Sequence, residues 1–521
     1  MVDRAPELLT LVRSAAAQLG DAPWFGIGDA VLTARELSAQ VEAFALGLLA
    51  TGFRPGERIA ILLPRSFDEA IVLLGTAAAG GIAVPVHARL KEEQIAHVLQ
   101  DCAPFAVVTD PLRLLALGDA AAVLGNQRVI TRDPGALPVP ATPWPQANGD
   151  AVLSLPRSEA AAVLLYSSGS TGRAKGIVQN HRNLALGAAI VAGYLGLTPA
   201  DHVLALLPFS FDYGLNQLLA ALHVGCRITA ADHLAIGEVG ELLRSRRPTG
   251  LAGVPSLWHE VAQALHNGSL SPADGASLRY ITNSGGSLRR SDSQVLRAQW
   301  PHVQVFAMYG LTEAFRSAFL PPAEFDAHPE SFGRALPGVE LLLVSPETGE
   351  VLQGAATGEL VHAGALVALG YWQRPQDSQA RFRPDPRTGT GTVVYSGDLV
   401  RRDAEGRHFF VSRMDRLLKV QGHRVSPDEV AAAITGTPGV GEVAVFGVDG
   451  QADGHHIVAC VGGDPGDADL CARIERRCRA RLPSWMRPAR LHVLTALPHN
   501  QNGKVDEAAL RAHHSRCTER T

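Results

Sequence analysis

The chain has 521 residues, 46% hydrophobic and 19% charged, with a formal net charge of −4. This length predicts roughly two to four structural units, and the near balance of charge argues against a nucleic-acid binder with a broad basic surface. Because no apolar run reaches the ~18 residues of a membrane span and the N-terminus resembles a first helix rather than a secretory signal, we expect a cytoplasmic protein without a membrane segment.

Short apolar runs alternate with amphipathic stretches over most of the first 410 residues, which predicts an α/β fold. Buried strands are predicted at 59–64, 106–110, 203–209 and 302–310, and helices at 67–81 and 214–225. In such folds, ligands gather at the carboxyl edge of parallel strands. The Pro-, Ala- and Gly-rich residues 134–156 predict a surface crossover.

The pattern changes towards the C-terminus. Shorter, hairpin-like runs at 340–345, 358–364 and 393–411 predict a β-rich subdomain. Beyond residue 411, a helix at 425–434 with Ser426 as its N-cap, strands at 442–448 and 456–461, and a helix at 469–482 predict a compact α+β unit. We therefore predict an N-terminal domain over 1–411 and a C-terminal domain over 412–521.

The cysteines and histidines give no metal-binding motif. The six cysteines are scattered without a C-x-x-C pair, which predicts thiols rather than a disulfide framework or a zinc site. The 19 histidines lack spacings such as H-E-x-x-H, and the adjacent pair His513–His514 points its side chains apart. No structural metal is expected from these patterns.

A stretch rich in glycine and hydroxyl residues, YSSGSTGRAKG (166–176), follows an apolar run. Its backbone N–H and hydroxyl groups can surround phosphate oxygens, and Lys175 adds a positive charge. Lys175 and Lys504 are two of only four lysines in the chain, the others being Lys91 and Lys419. The spacing G-x-x-G-x-x-K-G differs from a Walker loop, and the alternative is a flexible polar loop.

Four further motifs are each weak alone. Tyr309-Gly-Leu-Thr-Glu313 offers an aromatic ring, a hydroxyl and a carboxylate, and Tyr395-Ser-Gly-Asp398 offers a carboxylate able to accept ribose hydroxyls. Residues 412–424 lie at the change of pattern, and residues 498–504 carry the last lysine. In this order, the five motifs resemble the adenylate-forming superfamily of acyl-CoA synthetases, adenylation domains of nonribosomal peptide synthetases and luciferases, over about residues 20–510.

The resemblance implies a large N-terminal domain and a small mobile C-terminal lid. It also implies a reaction in which a carboxylate and ATP give an acyl-adenylate and pyrophosphate, after which a thiol captures the acyl group and AMP leaves. The implied cofactors are ATP and Mg2+, with a pantetheine thiol, on a carrier protein or coenzyme A, as co-substrate.

Roles carry over to the residues that match the motifs. The implied ATP- and AMP-binding residues are Ser167, Ser168, Gly169, Ser170, Thr171, Gly172, Lys175, Ser284, Gly285, Gly286, Tyr309, Gly310, Asp398 and Arg413. Among them, Tyr309 and residues 284–286 would sandwich the adenine, and Asp398 and Arg413 would hold the ribose. Thr312, Glu313 and Lys504 are the implied catalytic residues, with Glu313 also binding magnesium and Lys504 bridging the substrate carboxylate and α-phosphate; Asp415 is the implied hinge.

The acid pocket is predicted by the same resemblance. Its implied residues are Phe211, Asp212, Tyr213, Asn216, Gly253, Met308, Arg316 and Ser317. Asp212 matches the aspartate that pairs with the substrate ammonium in amino-acid adenylation domains, and the alternative is that it caps the following helix. Arg316 needs a partner: a second substrate carboxylate, Asp212, or an acidic group in a surface ion pair.

We therefore predict an AMP-forming ligase that activates a small carboxylic acid, an amino acid or β-amino acid, and loads it on a separate acyl or peptidyl carrier protein. The alternatives are an acyl- or aryl-CoA synthetase and a non-catalytic nucleotide-binding relative. Seven arginines within residues 473–490 form a basic face for an acidic carrier or coenzyme phosphates, or simply a solvated helix face. A monomer or homodimer is expected, with neither nucleic acid nor membrane as partner.

Overall fold

The structure is a computed structural model that describes most of the chain. The described residues are 7–87, 90–115, 117, 123–136, 139–147, 153–168, 174–232, 235–414, 418–420, 423–449, 455–482, 484–500 and 504–518. They form two compact units, the first from residues 1–341 and 361–395 and the second from 342–360 and 396–521. The predicted domain boundary at residue 411 stays a prediction.

A seven-stranded sheet in the first unit carries the strands on either side of the undescribed residues 169–173. Its strands, in spatial order, are β7 (Thr142–Pro143), β6 (Val129–Thr131), β5 (Ala106–Thr109), β3 (Arg58–Leu62), β4 (Ile82–Pro85), β8 (Ala161–Ser168) and β9 (Ala174–Asn180). All neighbours pair in parallel except β8 and β9, which form an antiparallel pair. The strands predicted at 59–64 and 106–110 are confirmed as β3 and β5.

The first unit also contains a nine-stranded array. Its strands, in spatial order, are β16 (Ser331–Ala335), β15 (Ala318–Leu320), β14 (Gln304–Tyr309), β13 (Tyr280–Asn283), β12 (Gly250–Gly253), β10 (His202–Ala205), β11 (Arg227–Ala230), β1 (Pro23–Ile27) and β2 (Ala30–Thr33). The strands β10 to β14 are parallel, so their carboxyl ends share one edge. The predicted strands at 203–209 and 302–310 are confirmed as β10 and β14.

Helices connect these strands. They are α1 (Leu8–Leu19), α2 (Ala34–Ala50), α3 (Phe67–Ala78), α4 (Glu92–Cys102), α5 (Pro111–Leu115), α6 (His181–Leu195), α7 (Asp212–Val224), α8 (Ile236–Arg246), α9 (Pro255–Asn267), α10 (Arg290–Gln299), α11 (Pro322–Phe325) and α12 (Pro375–Arg381). The predicted helices at 67–81 and 214–225 are confirmed as α3 and α7. The Ser66 hydroxyl caps α3 by accepting from the Glu69 N–H, because Ser supplies an acceptor for an unpaired first-turn donor.

Residues 134–156 are more than the predicted surface crossover. Strand β7 lies in this segment and extends the seven-stranded sheet. Trp144 packs its ring 5.0 Å from that of Phe44, and the Arg132 guanidinium lies 4.1 Å from the Trp144 ring centroid. Packing of this half-buried aromatic side chain against the core ties the segment to it.

Short strands follow in the region predicted to be β-rich. They are β17 (Val339–Val344), β18 (Val351–Leu352), β19 (Ala356–Gly364), β20 (Phe382–Pro384), β21 (Thr392–Arg402) and β22 (His408–Arg413). The pairs β17–β18 and β21–β22 are antiparallel, as the hairpin-like sequence pattern predicts.

The second unit contains a small α+β core after residue 414. Its strands are β23 (Leu418–Val420), β24 (His423–Val425), β25 (Val443–Asp449), β26 (His455–Gly462) and β27 (Arg490–Leu494), and its helices are α13 (Pro427–Ile434), α14 (Leu470–Arg481) and α15 (Glu507–Thr518). The strands β25 and β26 pair antiparallel, and β26 and β27 pair in parallel. Ser426 caps α13 as predicted, by accepting from the Glu429 N–H.

No helix among the described residues is both long and apolar enough to span a membrane.

Candidate active site

A short 3-10 turn over Thr312–Ala314 follows strand β14 and carries two predicted catalytic residues. The buried Gln179 donates from Nε2 to the Thr312 carbonyl oxygen at 2.5 Å. Asn183 in turn donates from Nδ2 to Gln179 Oε1 at 3.3 Å and to the Val367 carbonyl at 2.8 Å. This buried pair of amide side chains fixes the turn. The pair was not predicted from the sequence. Its only sequence signal is the polar Gln179 directly after the apolar residues 176–178.

The Glu313 carboxylate lies beside Tyr371 and close to the lysine of the glycine-rich stretch. The Tyr371 hydroxyl donates to Glu313 Oε1 at 2.6 Å, and Lys175 Nζ lies 5.4 Å from the Tyr371 ring centroid. Lys175 also forms a 3.0 Å ion pair with Asp377. Burial and the Glu313 charge raise the pKa of Tyr371, so its hydroxyl keeps its proton and remains a donor.

Glu313 is suited to hold magnesium together with a nucleotide. Magnesium is a hard cation that takes one or two carboxylate oxygens from a protein and the rest of its shell from water and phosphate. Glu313 is half-buried, and its partner Tyr371 is a neutral donor to one carboxylate oxygen. A carboxylate in this setting is a ligand that fits Mg2+.

The residue after this turn has a strained backbone. Phe315 has φ of +51°, a left-handed conformation that a bulky side chain rarely adopts. A Cβ at Gly187 would lie 2.4 Å from the Phe315 ring, so the ring fits only because helix α6 has a glycine there. Packing against α6 therefore holds the chain between Glu313 and Arg316.

Three predicted binding positions lie at the ends of adjacent parallel strands. Gly253 ends β12, Ser284 follows β13 and Tyr309 ends β14, with Gly253 beside Asn283 in the register. The structure thus brings them to one sheet edge, the usual place for a ligand in an α/β fold. Gly285 has φ of +82°, which lets the chain turn sharply after β13.

The ring of Tyr309, the predicted adenine partner, stacks on other aromatic groups. Its centroid lies 4.4 Å from that of Phe332 at an interplanar angle of 25°, and 5.8 Å from that of His362 at 9°. Gly310 follows, where an added Cβ would lie 3.3 Å from the Phe315 carbonyl oxygen. The aromatic stack fixes the orientation of the Tyr309 ring.

The two predicted ribose-binding residues face each other in the second unit. Asp398 on β21 pairs in register with Arg413 on β22, and Arg413 Nη1 lies 2.9 Å from Asp398 Oδ1. The Asp398 N–H donates to the Ser396 hydroxyl at 3.0 Å, and the Gly397 N–H donates to the Glu359 carboxylate at 3.0 Å. Sequence reasoning predicted both members of the ion pair, and its interaction with a ribose stays a prediction.

Asp212 is a buried carboxylate in the first turn of α7. The N-cap residue is Phe211, so the alternative that Asp212 caps the helix is wrong. Burial raises the pKa of Asp212, and the Arg316 charge opposes that shift.

Arg316 is also buried, with 3% of its surface exposed, so the alternative of a surface ion pair is wrong. Its guanidinium carbon lies 4.8 Å from the centroid of the Tyr213 ring. Within the described part of the chain, its Nη2 has no hydrogen-bond partner. A buried guanidinium with an unsatisfied donor is costly, which is typical of a group that meets a ligand.

A small cavity of about 30 Å³ lies beside Arg316. Four predicted pocket residues line it: Tyr213, Asn216, Met308 and Arg316. Gln217, which the sequence analysis missed, also lines it, and neither Asn216 Nδ2 nor Gln217 Oε1 has a hydrogen-bond partner among the described residues. The remaining predicted pocket residues, Phe211, Asp212, Gly253 and Ser317, are outside this lining.

Several predicted residues fall outside the described part of the chain, namely Gly169, Ser170, Thr171, Gly172 and Asp415. Ser167 and Ser168 end strand β8, with Ser167 opposite Lys175 in the β8–β9 register. Lys504 is exposed in the second unit, where its N–H donates to Asn500 Oδ1 at 3.1 Å and its carbonyl accepts from the Asn500 N–H at 2.7 Å.

This α/β fold, with a hydroxyl-rich segment before Lys175 and a buried pocket beside the Thr-Glu turn, defines a nucleotide-dependent acid-activating enzyme. The AMP-binding enzyme family matches residues 12–372, and the AMP-binding enzyme C-terminal domain matches residues 429–504. The chain belongs to the AMP-binding enzyme family. It is an AMP-forming ligase that transfers an activated acid to a thiol.

Individual relatives cover most of the chain. An L-proline–[L-prolyl-carrier protein] ligase of Streptomyces coelicolor is 30% identical over 96% of this chain and 95% of its own length. Surfactin synthase subunit 2 of Bacillus subtilis is 28% identical over 96% of this chain, which spans only 14% of that protein. Among solved structures, ATP-bound MatB of Rhodopseudomonas palustris is similar with a TM-score of 0.84, 26% identity and coverage of 97% of this chain and 99% of that one.

Proposed function

We propose that this enzyme activates an amino acid as its adenylate and transfers it to the pantetheine thiol of a separate carrier protein. The observation that carries the proposal is the buried carboxylate of Asp212, which is next in sequence to the cavity-lining Tyr213. The similarity to the prolyl-carrier protein ligase, over nearly the full length of both chains, supports the same conclusion.

A buried carboxylate needs a compensating charge. Arg316 supplies long-range compensation to Asp212, and among the described residues no cation lies within ion-pair distance of that carboxylate. A substrate ammonium placed against Asp212 would compensate it directly. The cavity beside Arg316 is lined mainly by apolar side chains, as ligand pockets commonly are.

In the first reaction, a substrate carboxylate oxygen bonds to the α-phosphorus of ATP and pyrophosphate leaves. Thr312 is proposed to contact the α-phosphate, and Lys175 and the hydroxyl-rich loop to bind the outgoing phosphates. Glu313, held by Tyr371, would bind magnesium, which supplies neutralisation of phosphate charge when bound. Lys504 would neutralise the charge that develops between carboxylate and α-phosphate.

In the second reaction, the thiol sulfur bonds to the acyl carbonyl carbon, AMP leaves and the thiol proton passes to solvent. The basic face predicted for a carrier is reduced by contacts within the second unit. Four of its arginines donate to groups of that unit: Arg473, Arg477, Arg479 and Arg487. Three others are exposed: Arg476, Arg481 and Arg490. These exposed cations support a contact with an acidic carrier.

Pyrophosphate exchange over a panel of acids, matched with and without amino groups, tests the substrate class. We expect exchange only with amino-bearing acids and a loss of about 10- to 100-fold in Asp212→Asn, because a hydrogen bond to a charged group is worth ~1.5–3 kcal/mol. The exposed Asp133→Asn is the matched control and should not change the rate. Pyrophosphate exchange with simple fatty or aryl acids, at a rate that Asp212→Asn does not change, contradicts the proposal.

A second candidate is an acyl-CoA or aryl-CoA synthetase that uses free coenzyme A. The anthranilate CoA ligase AuaEII shares the fold over 98% of this chain with a TM-score of 0.84, which supports this class as the alternative. Incubating the enzyme with ATP and its acid, and offering either coenzyme A or a phosphopantetheinylated carrier, separates the two. Faster consumption of the acyl-adenylate with coenzyme A than with the carrier would favour the second candidate.

A further inference from the structure

Three metal-binding side chains meet in the second unit. One ligand atom each of His492, His513 and Cys517 lies within 4.8 Å of the others, and all three residues are half-buried. His492 comes from strand β27, whereas His513 and Cys517 come from helix α15. The cluster therefore connects two different elements.

The helix presents its two side chains in a spacing suited to chelation. His513 and Cys517 are four residues apart, so both lie on one face of α15. Cys517 Sγ lies 3.5 Å from His513 Nε2. A tetrahedral zinc with Zn–S of about 2.3 Å and Zn–N of about 2.0 Å separates its sulfur and nitrogen ligands by about 3.5 Å.

The third ligand is oriented by a further histidine. His492 Nε2 and His514 Nδ1 are 2.9 Å apart in a hydrogen bond, and His514 is buried. Metal-binding histidines commonly use their second ring nitrogen for such a bond, which fixes the ring.

We propose that His492, His513 and Cys517 bind one zinc ion, with a water molecule as the fourth ligand. Two imidazole nitrogens and a thiolate are a donor set that zinc prefers, and binding releases the thiol proton to solvent. Sequence spacing predicts no metal here, because one ligand comes from a strand and two from a helix. His492 lies 21 residues before His513 in the sequence, and folding brings the two side chains together.

The position of the cluster gives the zinc a structural consequence. Strand β27 precedes, and helix α15 follows, the segment that carries Lys504. A metal bridge between the two elements would hold both ends of that segment together. We therefore expect zinc to stabilise the second unit around Lys504.

Zinc binding by tag-free, metal-stripped full-length protein tests the proposal. We expect one zinc per chain by calorimetry and elemental analysis, and affinity at least ten-fold weaker in His513→Ala and Cys517→Ser. His456→Ala removes an exposed histidine of the same unit and is the matched control. Circular dichroism of each variant separates loss of a ligand from loss of the fold.

Cobalt substitution and thermal unfolding give two further readouts. Co2+ should produce tetrahedral d–d bands and a thiolate charge-transfer band, the latter absent in Cys517→Ser and present in His456→Ala. Zinc should raise the unfolding temperature of the unsubstituted protein and leave that of the His513→Ala/Cys517→Ser double variant unchanged. Equal zinc binding by the double variant and the unsubstituted protein, or no binding by either, overturns the proposal.

Discussion

At the scale of single residues, the Tyr371 hydroxyl donates a 2.6 Å hydrogen bond to the Glu313 carboxylate, and the effect of this bond on catalysis can be tested. Tyr371→Phe keeps the ring and removes only the donor. We expect a loss of about ten-fold or more in the rate of pyrophosphate exchange, with a higher magnesium concentration needed for half the maximal rate, because a hydrogen bond to a charged group is worth ~1.5–3 kcal/mol. Exchange kinetics at varied Mg2+ measure both effects, and an unchanged magnesium dependence contradicts them.

Glu69 makes stability depend on pH. It is buried in helix α3, and burial raises its pKa to about 7 despite the Arg65 guanidinium 4.0 Å away. Between pH 4.5 and 7 the folded protein therefore binds more protons at Glu69 than the unfolded chain, so this residue makes the free energy of unfolding fall as pH rises through that window. Above pH 7, Glu69 is charged in both states, and its whole contribution to stability from the raised pKa is lost.

A neutral amide at this position should remove the effect. We expect Glu69→Gln to raise the free energy of unfolding at pH 8 and to change it little at pH 4.5, measured by denaturant titration at both values. The exposed Glu330→Gln is the control and should show no such difference. Equal effects of Glu69→Gln at the two pH values would show that Glu69 does not titrate in this window.

At the scale of single elements, helix α6 determines the position of the active-site turn. Its Gly187 makes room for the Phe315 ring, whereas an added Cβ at Gly193 of the same helix meets no atom within 4 Å. We expect Gly187→Ala to cost ~1–3 kcal/mol of stability through overpacking and to lower pyrophosphate exchange, because Phe315 lies between Glu313 and Arg316. Gly193→Ala should instead stabilise the protein by ~0.5–1 kcal/mol through helix propensity.

Thermal unfolding and exchange rates of the two variants measure the contrast. The pair shares one helix and one substitution, so helix propensity favours both and only the contact with Phe315 differs. Gly187→Ala with normal stability and normal exchange would show that the turn tolerates displacement of the ring.

At the scale of the whole molecule, the enzyme performs two reactions, and Lys504 is predicted to serve only the first. We expect Lys504→Ala to slow adenylate formation by ~10²–10³, because it removes a cation from the site of developing charge, and to leave thioester formation from premade adenylate largely intact. Pyrophosphate exchange and single-turnover transfer measure the two reactions separately. Lys91→Ala, which removes another exposed lysine, should change neither, and normal exchange by Lys504→Ala would exclude its proposed role.

The sequence predicted the secondary structure of this chain well where the pattern is local. The strands at 59–64 and 203–209 and the helix at 67–81 follow from apolar periodicity, which depends on near neighbours alone. Residues 134–156 differed from the predicted surface crossover, because a strand of two residues and the packing of a single Trp144 produce no detectable periodicity.

Motif order determined the family and the reaction class, because the residue types predicted to contact the nucleotide occur in contiguous stretches such as Tyr309–Glu313. Burial and long-range contacts were decided by the tertiary structure. Asp212 could have been a cap and Arg316 a surface residue, and only packing buries both.

The same reason explains the residues that sequence reasoning missed. Tyr371 reaches Glu313 across 58 positions and Gln179 reaches Thr312 across 133, while His492 joins His513 and Cys517 only through the pairing of a strand with a helix. Periodicity and motifs record interactions between near neighbours in the chain. Contacts between distant elements depend on how those elements pack, so the sequence by itself determined the class of reaction, and the tertiary structure determined which side chains surround and support its site.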